Sequence, residues 1–169
     1  GDARWAELEA HFVRDEPYRA IRGMVVALDS HPITERVRTV LGLIGVESSG
    51  GGQVTAGRRV AVLTDPWVTD PPRVHDLLAG DVPYLPIVVE GSGTVVGPSV
   101  FPGATPCTTC INLARTRADP KWPVVATQLR TLPQRRLTMV ELETAAALAS
   151  HALVGLLSGR SSGGWPANP

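Results

Sequence analysis

The sequence predicts an α/β domain: a mostly parallel sheet flanked by helices, closed by a long apolar helix toward the C-terminus. Three observations carry this expectation. MVVAL, Met24 to Leu28, is a short continuous apolar run of the kind a strand buried on both faces shows. Ile33, Val37, Val40, Leu41 and Ile44 then recur at helical spacing as far as Gly45, so a strand, a turn and a helix open a βαβ unit. RVAVLTD, Arg59 to Asp65, supplies a second strand.

The other elements follow in order. From Asp2 to about Asp15, Trp5, Leu8, Phe12 and Val13 stand at helical spacing, an amphipathic helix stopped near Pro17. VESSGGGQVTAG, 46 to 57, is polar, glycine-rich and without period, and reads as a flexible loop. After Asp65 come the prolines of DPWVTDPP and a short helix around Arg73 to Ala79. LPIVVEG is a third strand reaching Gly91, and TVVGPSVF behind the Ser92-Gly93 turn is a hairpin partner or bulged continuation. INLARTR and WPVVATQLR are two short helices, the second with Pro123 in its first turn. Thr138 with Glu141 three residues on is a capping-box signature for a helix to about Ser158. Met139, Leu142, Ala146, Ala149, Leu153, Leu156 and most of their neighbours are apolar, so this helix is expected deep inside the domain or against a second subunit. The tail beyond Gly159 is expected to be loose. Neither a repeat nor a domain boundary is visible, so residues 1–169 read as one domain.

Composition narrows the function classes. A chain of 169 residues with 43% apolar and 19% charged residues suits one globular core. Zero net charge gives no electrostatic reason to expect nucleic acid or an anionic membrane as partner. No apolar run approaches the roughly 18 residues of a bilayer span. GDARWAELEA lacks the basic and apolar regions of a secretory signal, and two cysteines make no disulfide scaffold, so a cytoplasmic location is the expectation. The missing initiator Met fits a chain processed, tagged or cut from something longer.

Candidate sites are few. Cys107 and Cys110, spaced Cys-x-x-Cys, put two thiols on one turn. That spacing serves a zinc knuckle completed elsewhere, a redox or incidental disulfide, or no role at all. His11, His31, His75 and His151 are scattered and offer no paired ligands, while Pro102, Gly103 and Pro106 suit a knuckle better than a tuned helix N-terminus. Asp65 ends a strand, where ligands sit in open α/β sheets. It could hold Mg²⁺ or a ribose hydroxyl, but simple strand termination is the favoured reading. The turn after the first strand is the telling negative, because a phosphate-binding βαβ unit needs glycines there. This chain has Asp29, Ser30, His31 and Pro32: Asp29 repels phosphate and Pro32 has no N–H. Gly50 to Gly52 follow a helix and cannot substitute. His31 is expected as a helix cap or turn residue, and Arg135-Arg136 as solvated surface.

The run from Val60 through "LTDPW" and "PGATPCTTC" to Gln128-Leu129 resembles the ThiF-type fold shared with ubiquitin-activating-like adenylyltransferases. More narrowly it is similar to the actinobacterial cyclodehydratase or leader-peptide-binding components of azole-peptide (bacteriocin) biosynthesis. The matching features are Gly97-Pro98, Pro102 to Cys110, Arg115 or Arg117, Asp119 to Pro123, and Gln128-Leu129. The resemblance implies a degenerate, Rossmann-like domain. It implies that Cys107 and Cys110 are half of a structural four-cysteine zinc site, whose other half follows a Trp-Pro-x-x-Pro-like stretch. Here Trp165-Pro166-Ala167-Asn168-Pro169 is followed by the end of the chain, which leaves the zinc site incomplete. Asp65 falls where the family's nucleotide-site Asp lies, but "LDSHP" replaces the glycine loop, no spare cysteine exists, and ATP is not expected. The expected function is a non-catalytic scaffold that binds a peptide or protein partner, as in a component presenting a precursor to a YcaO-type cyclodehydratase, and that forms a homodimer. The rival readings are an ATP-dependent adenylyltransferase of ThiF type and a small zinc or redox Cys-x-x-Cys protein.

Overall fold

In a computed structural model that describes residues 16–50 and 59–159, the first apolar run is a strand paired on both sides. Val25–Leu28 (β1) lies parallel to Glu47–Gly50 (β2) on one side and to Arg59–Pro66 (β3) on the other, with Val26 opposite Ser48 and Val60. Tyr84–Glu90 (β4) continues parallel to β3, and Gly93–Val96 (β5) turns back antiparallel to β4, giving the order β2-β1-β3-β4-β5. Beyond β5, Val100 and Tyr84 exchange backbone hydrogen bonds of 2.8 and 3.0 Å, which returns the chain to the sheet before the cysteines.

One expectation is corrected. Residues 46–57 are expected as a flexible loop, yet β2 occupies 47–50, so Gly50 ends a parallel strand and the glycines do not directly follow a helix. Glu-Ser-Ser-Gly has little strand propensity. The strand exists because its backbone completes the edge of β1 and because Arg38 Nη1 donates to Ser48 Oγ at 2.6 Å. The helix expected over 2–15, the remainder of that loop and the tail after Gly159 lie outside the described residues.

A 3-10 turn at Glu16–Ile21 precedes β1, and among the described residues five helices follow: Pro32–Leu43 (α1), Pro71–Ala79 (α2), Thr108–Ala118 (α3), Trp122–Leu129 (α4) and Met139–Leu157 (α5). Side chains alternate across a strand, so each strand feeds two cores. Val26, Leu28, Val62, Ile87 and Val89 join Ile33, Val37 and Leu41 of α1 and the α5 stripe on one face. Ala27, Ala61, Leu63 and Tyr84 meet Val74 and Leu77 of α2 on the other. Each fully buried aliphatic side chain there contributes about 1.5–3 kcal/mol. Because α1 and α2 cover opposite faces, the connections diverge between β1 and β3, and their carboxyl ends form the topological switch point of the sheet.

Helix α5 begins as its capping box requires: Thr138 Oγ1 accepts from the Glu141 N–H, and Glu141 Oε2 accepts from the Thr138 N–H at 2.8 Å. Its packing departs from a uniformly buried helix. Ala145, Ala146, Ala149, Leu153 and Leu156 are buried, but Met139, Val140 and Leu148 are 63%, 76% and 54% exposed. By length and composition α5 is also apolar enough to cross a bilayer, contrary to the reading of apolar runs above; its small-residue stripe instead lies on the sheet.

Candidate functional site

The switch point is closed by an ion-pair knot. Asp29 follows β1, and its carboxylate accepts from the Thr64 N–H at 2.5 Å, from Thr64 Oγ1 at 3.1 Å and from Arg73 Nη2 at 2.9 Å. Arg73 reaches it from the first turn of α2, whose start is set by Pro71 and Pro72 after the N-cap Asp70. The same guanidinium donates through Nη1 to Asp65 Oδ1 at 2.6 Å, and Asp65 Oδ2 accepts from the Asp70 N–H at 3.2 Å. The side chains of Asp29 and Asp65 are only 15% and 7% exposed, against 35% for Arg73. Burial pushes the Asp65 carboxyl above its ordinary range, against the pull of Arg73. Burial likewise opposes the Arg73 charge, but the two carboxylates outweigh it and raise its pKa.

Asp65 therefore stands at the strand end, as its sequence position implied, with its oxygens bound inside the protein. Arg73 is the residue that sequence reading missed. The available signal was an arginine in the first helical turn after a strand ending in aspartate, but nothing in the sequence tied it to Asp29. The void beside the knot, between Asp29, Leu63, Arg73 and Leu77, holds about 90 Å³, well below the roughly 300–1,000 Å³ of small-molecule pockets.

The turn before α1 is locked around the same place. His31 is the N-cap, as expected: its Nδ1 accepts from the Ile33 N–H at 3.1 Å. That role needs a neutral ring with no proton on Nδ1, and the Gln134 side-chain amide lies against Nε2 at 2.5 Å. Burial lowers the His31 pKa, more than the Asp29 charge and Gln134 raise it. Thr34 Oγ1 lies 2.7 Å from the Asp29 carbonyl and 2.8 Å from the His31 carbonyl, which ties the turn to the start of α1.

Residues 130–138, which join α4 to α5, run across the carboxyl edge of the sheet. Gln134 meets His31 after β1, and the Pro133 carbonyl accepts from Trp67 Nε1 at 3.1 Å after β3. Arg135 Nε donates to the Glu90 carbonyl at the end of β4. Arg135 also clasps Glu141 with bonds of 2.7 and 3.2 Å and is 22% exposed, which corrects its reading as solvated surface; Arg136 is exposed. The cause is the capping carboxylate of Glu141, which offers Arg135 a bidentate acceptor. Arg135, with the Thr138 N–H, holds Glu141 down to a pKa of about 2.

The cysteines form a separate site. Cys107 is the N-cap of α3, so the pair sits on a helix start, which the proline-rich approach had argued against. Tyr84, wholly buried at the start of β4, fixes that start through its hydroxyl, 3.2 Å from Thr108 Oγ1 and bonded by the Thr108 N–H. Burial raises the Cys107 pKa, but the Cys110 and Thr109 N–H groups pull it below the ordinary thiol value. The two Sγ atoms are 3.6 Å apart, close to the ~3.8 Å edge of a tetrahedron with zinc–sulfur bonds of about 2.3 Å. The pair thus fits two of four ligands. No group of three or more His, Cys, Asp or Glu suited to a metal occurs among the described residues, so further ligands would have to come from elsewhere.

No protein-family model and no curated protein matches the sequence. Solved structures match its fold. The heterocyclase TruD aligns at a TM-score of 0.58 and 22% identity over 99% of this chain and 26% of TruD. The E. coli microcin synthetase complex McbBCD aligns at 0.59 and 16% identity, over 82% of this chain and 57% of the other. E. coli MccB with ATP aligns at 0.62 and 12% identity, over 96% and 66%. This chain thus spans about a quarter of the length of TruD.

Proposed function

We propose, from a chain with the ThiF-type fold of azole-peptide heterocyclase systems, that it is a non-catalytic scaffold of azole-peptide biosynthesis. It binds a peptide or protein partner and presents a precursor to a YcaO-type cyclodehydratase. The observation that carries the reading is the filled switch point. In a nucleotide-binding sheet, free backbone N–H groups at this edge meet phosphates. Here the Thr64 N–H already serves Asp29, and the Arg73 charge is divided between Asp29 and Asp65. A triphosphate would have to displace a buried carboxylate, and the cation nearest to it among the described residues, Arg73, is already paired with Asp29 and Asp65. Cys107 and Cys110 supply half of a structural zinc site on α3, and the exposed stripe of α5 supplies the face for a second copy.

Titration calorimetry with ATP and Mg²⁺ tests the non-catalytic part. The expected result is no heat of binding from folded protein. Micromolar binding that Asp65→Ala abolishes would overturn it in favour of the adenylyltransferase. Copurification with the YcaO-type enzyme and a labelled precursor peptide tests the presenting part, which fails if the chain retains neither.

A further inference from the structure

The neutral charge of the chain conceals a basic arm. Residues 108 to 138 hold six of the sixteen Lys and Arg but only Asp119 of the sixteen Asp and Glu. Arg135 is neutralised by Glu141, and Arg115 stands 4.0 Å from Glu90. Arg117, Lys121, Arg130 and Arg136 make no ion pair among the described residues.

The arm is also apolar where it meets solvent. No residue of α4 is buried; Val124 is 62%, Leu113 55% and Leu132 45% exposed. Between α3, α4 and the β4–β5 hairpin lie two depressions of about 360 and 260 Å³, which meet at Trp122. Trp67 and Leu129 wall the first; Leu113, Ala126 and Arg130 wall the second. Both are open to solvent and share Trp122 as a wall, so side by side they offer a shallow groove for an extended chain. Arg117 and Lys121 adjoin its lining residues Thr116 and Trp122 in the chain.

We infer that this groove binds an acidic peptide segment, seating an aliphatic side chain beside Trp122 while its carboxylates meet Arg117, Lys121 and Arg130. Charge complementarity selects the occupant: the charges without an ion pair on this arm are the basic Arg117, Lys121, Arg130 and Arg136 against the single acid Asp119. Single-stranded nucleic acid needs open aromatic faces for stacking, whereas Arg115 already lies over the Trp122 ring at 4.8 Å. The inference rests on the peptide-binding reading above and gives it a location.

The test is fluorescence anisotropy with a fluorescein-labelled peptide of Glu, Asp, Leu and Ser, a matched peptide with Lys and Arg in place of the acids, an oligothymidine strand and phosphatidylglycerol vesicles. The acidic peptide alone should bind, and more weakly as salt rises from about 50 to about 200 mM. The triple variant Arg117→Glu, Lys121→Glu, Arg130→Glu changes only exposed side chains and should weaken binding at least about tenfold with an unchanged melting curve. Equal binding of both peptides, tighter binding of the oligonucleotide or vesicles, or indifference to charge reversal would overturn the groove. Should the acidic peptide fail while the chain still copurifies with its enzyme and precursor, the groove falls and the scaffold stands.

Discussion

Arg73 binds the Asp29 carboxylate at 2.9 Å across 44 residues of sequence, fastening the first turn of α2 to the end of β1. Removing one partner of a buried pair typically costs about 3–5 kcal/mol, because the other charge is stranded. With a third of Arg73 exposed, Arg73→Met should cost about 2 kcal/mol. Urea unfolding measures it. Adding Asp29→Asn to that variant should cost little further, and strict additivity of the two changes would refute the coupling.

Glu141 sets an acid limit on the α5 cap. Its folded pKa of about 2 lies below the ordinary 4.5, so the unfolded chain takes up this proton first. The stabilisation is full above about 4.5 and is lost as the pH falls toward 2. The stability gap between the parent and Glu141→Gln should therefore close over that window. A gap independent of pH would mean that the Arg135 clasp contributes nothing.

His31 acts at a milder pH. It caps α1 only when neutral, and burial holds its pKa below 6.5. The unfolded chain again protonates first, so the cap contributes fully above 6.5 and fades as the pH drops through the lower folded value. Asn keeps a capping oxygen without a titrating ring. His31→Asn should flatten the decline in thermal midpoint between pH 6.5 and the onset of acid unfolding, and an unchanged slope would refute the neutral cap.

The cysteine pair predicts a metal response without a nucleotide response. Zinc added to reduced protein should raise the thermal midpoint of the parent and leave that of the double variant Cys107→Ala, Cys110→Ala unmoved. ATP should be silent in both. No zinc shift in the parent would refute zinc binding by these two thiols without further ligands.

The bare stripe of α5 predicts self-association. Val140→Glu with Leu148→Glu changes two exposed positions, so stability should move by no more than about 0.5 kcal/mol for each. The mass in solution should fall from dimer to monomer. A parent already monomeric at working concentration would remove the dimer from the proposal.

What could be read from sequence was what repeats locally. The apolar runs of β1, β3 and β4, the periodic face of α1 and the Thr138–Glu141 box all emerged where periodicity and capping chemistry put them. Strand β2 escaped because Ser48 and Ser49 gain their conformation from the pairing edge of β1, not from their own side chains. The site was half legible: Asp29, His31 and Asp65 stood out by position, and the absence of glycines ruled against a phosphate loop. Arg73 and Arg135 did not, because their partners are brought near only by the completed sheet edge. The start of α3 was misjudged from Pro106, although proline just before a helix is compatible with one.

The knot at the switch point also bears on how this chain can change over generations. Exchanging Asp29 for glycine alone frees the backbone but leaves Arg73 with one carboxylate fewer and the Thr64 hydroxyl and N–H without their acceptor. Exchanging Arg73 alone strands two buried acids. Each single step toward an open crevice is thus penalised before any ligand can compensate it. Replacing this knot by an open, glycine-lined edge would require several substitutions together, and gradual mutation crosses such a valley rarely.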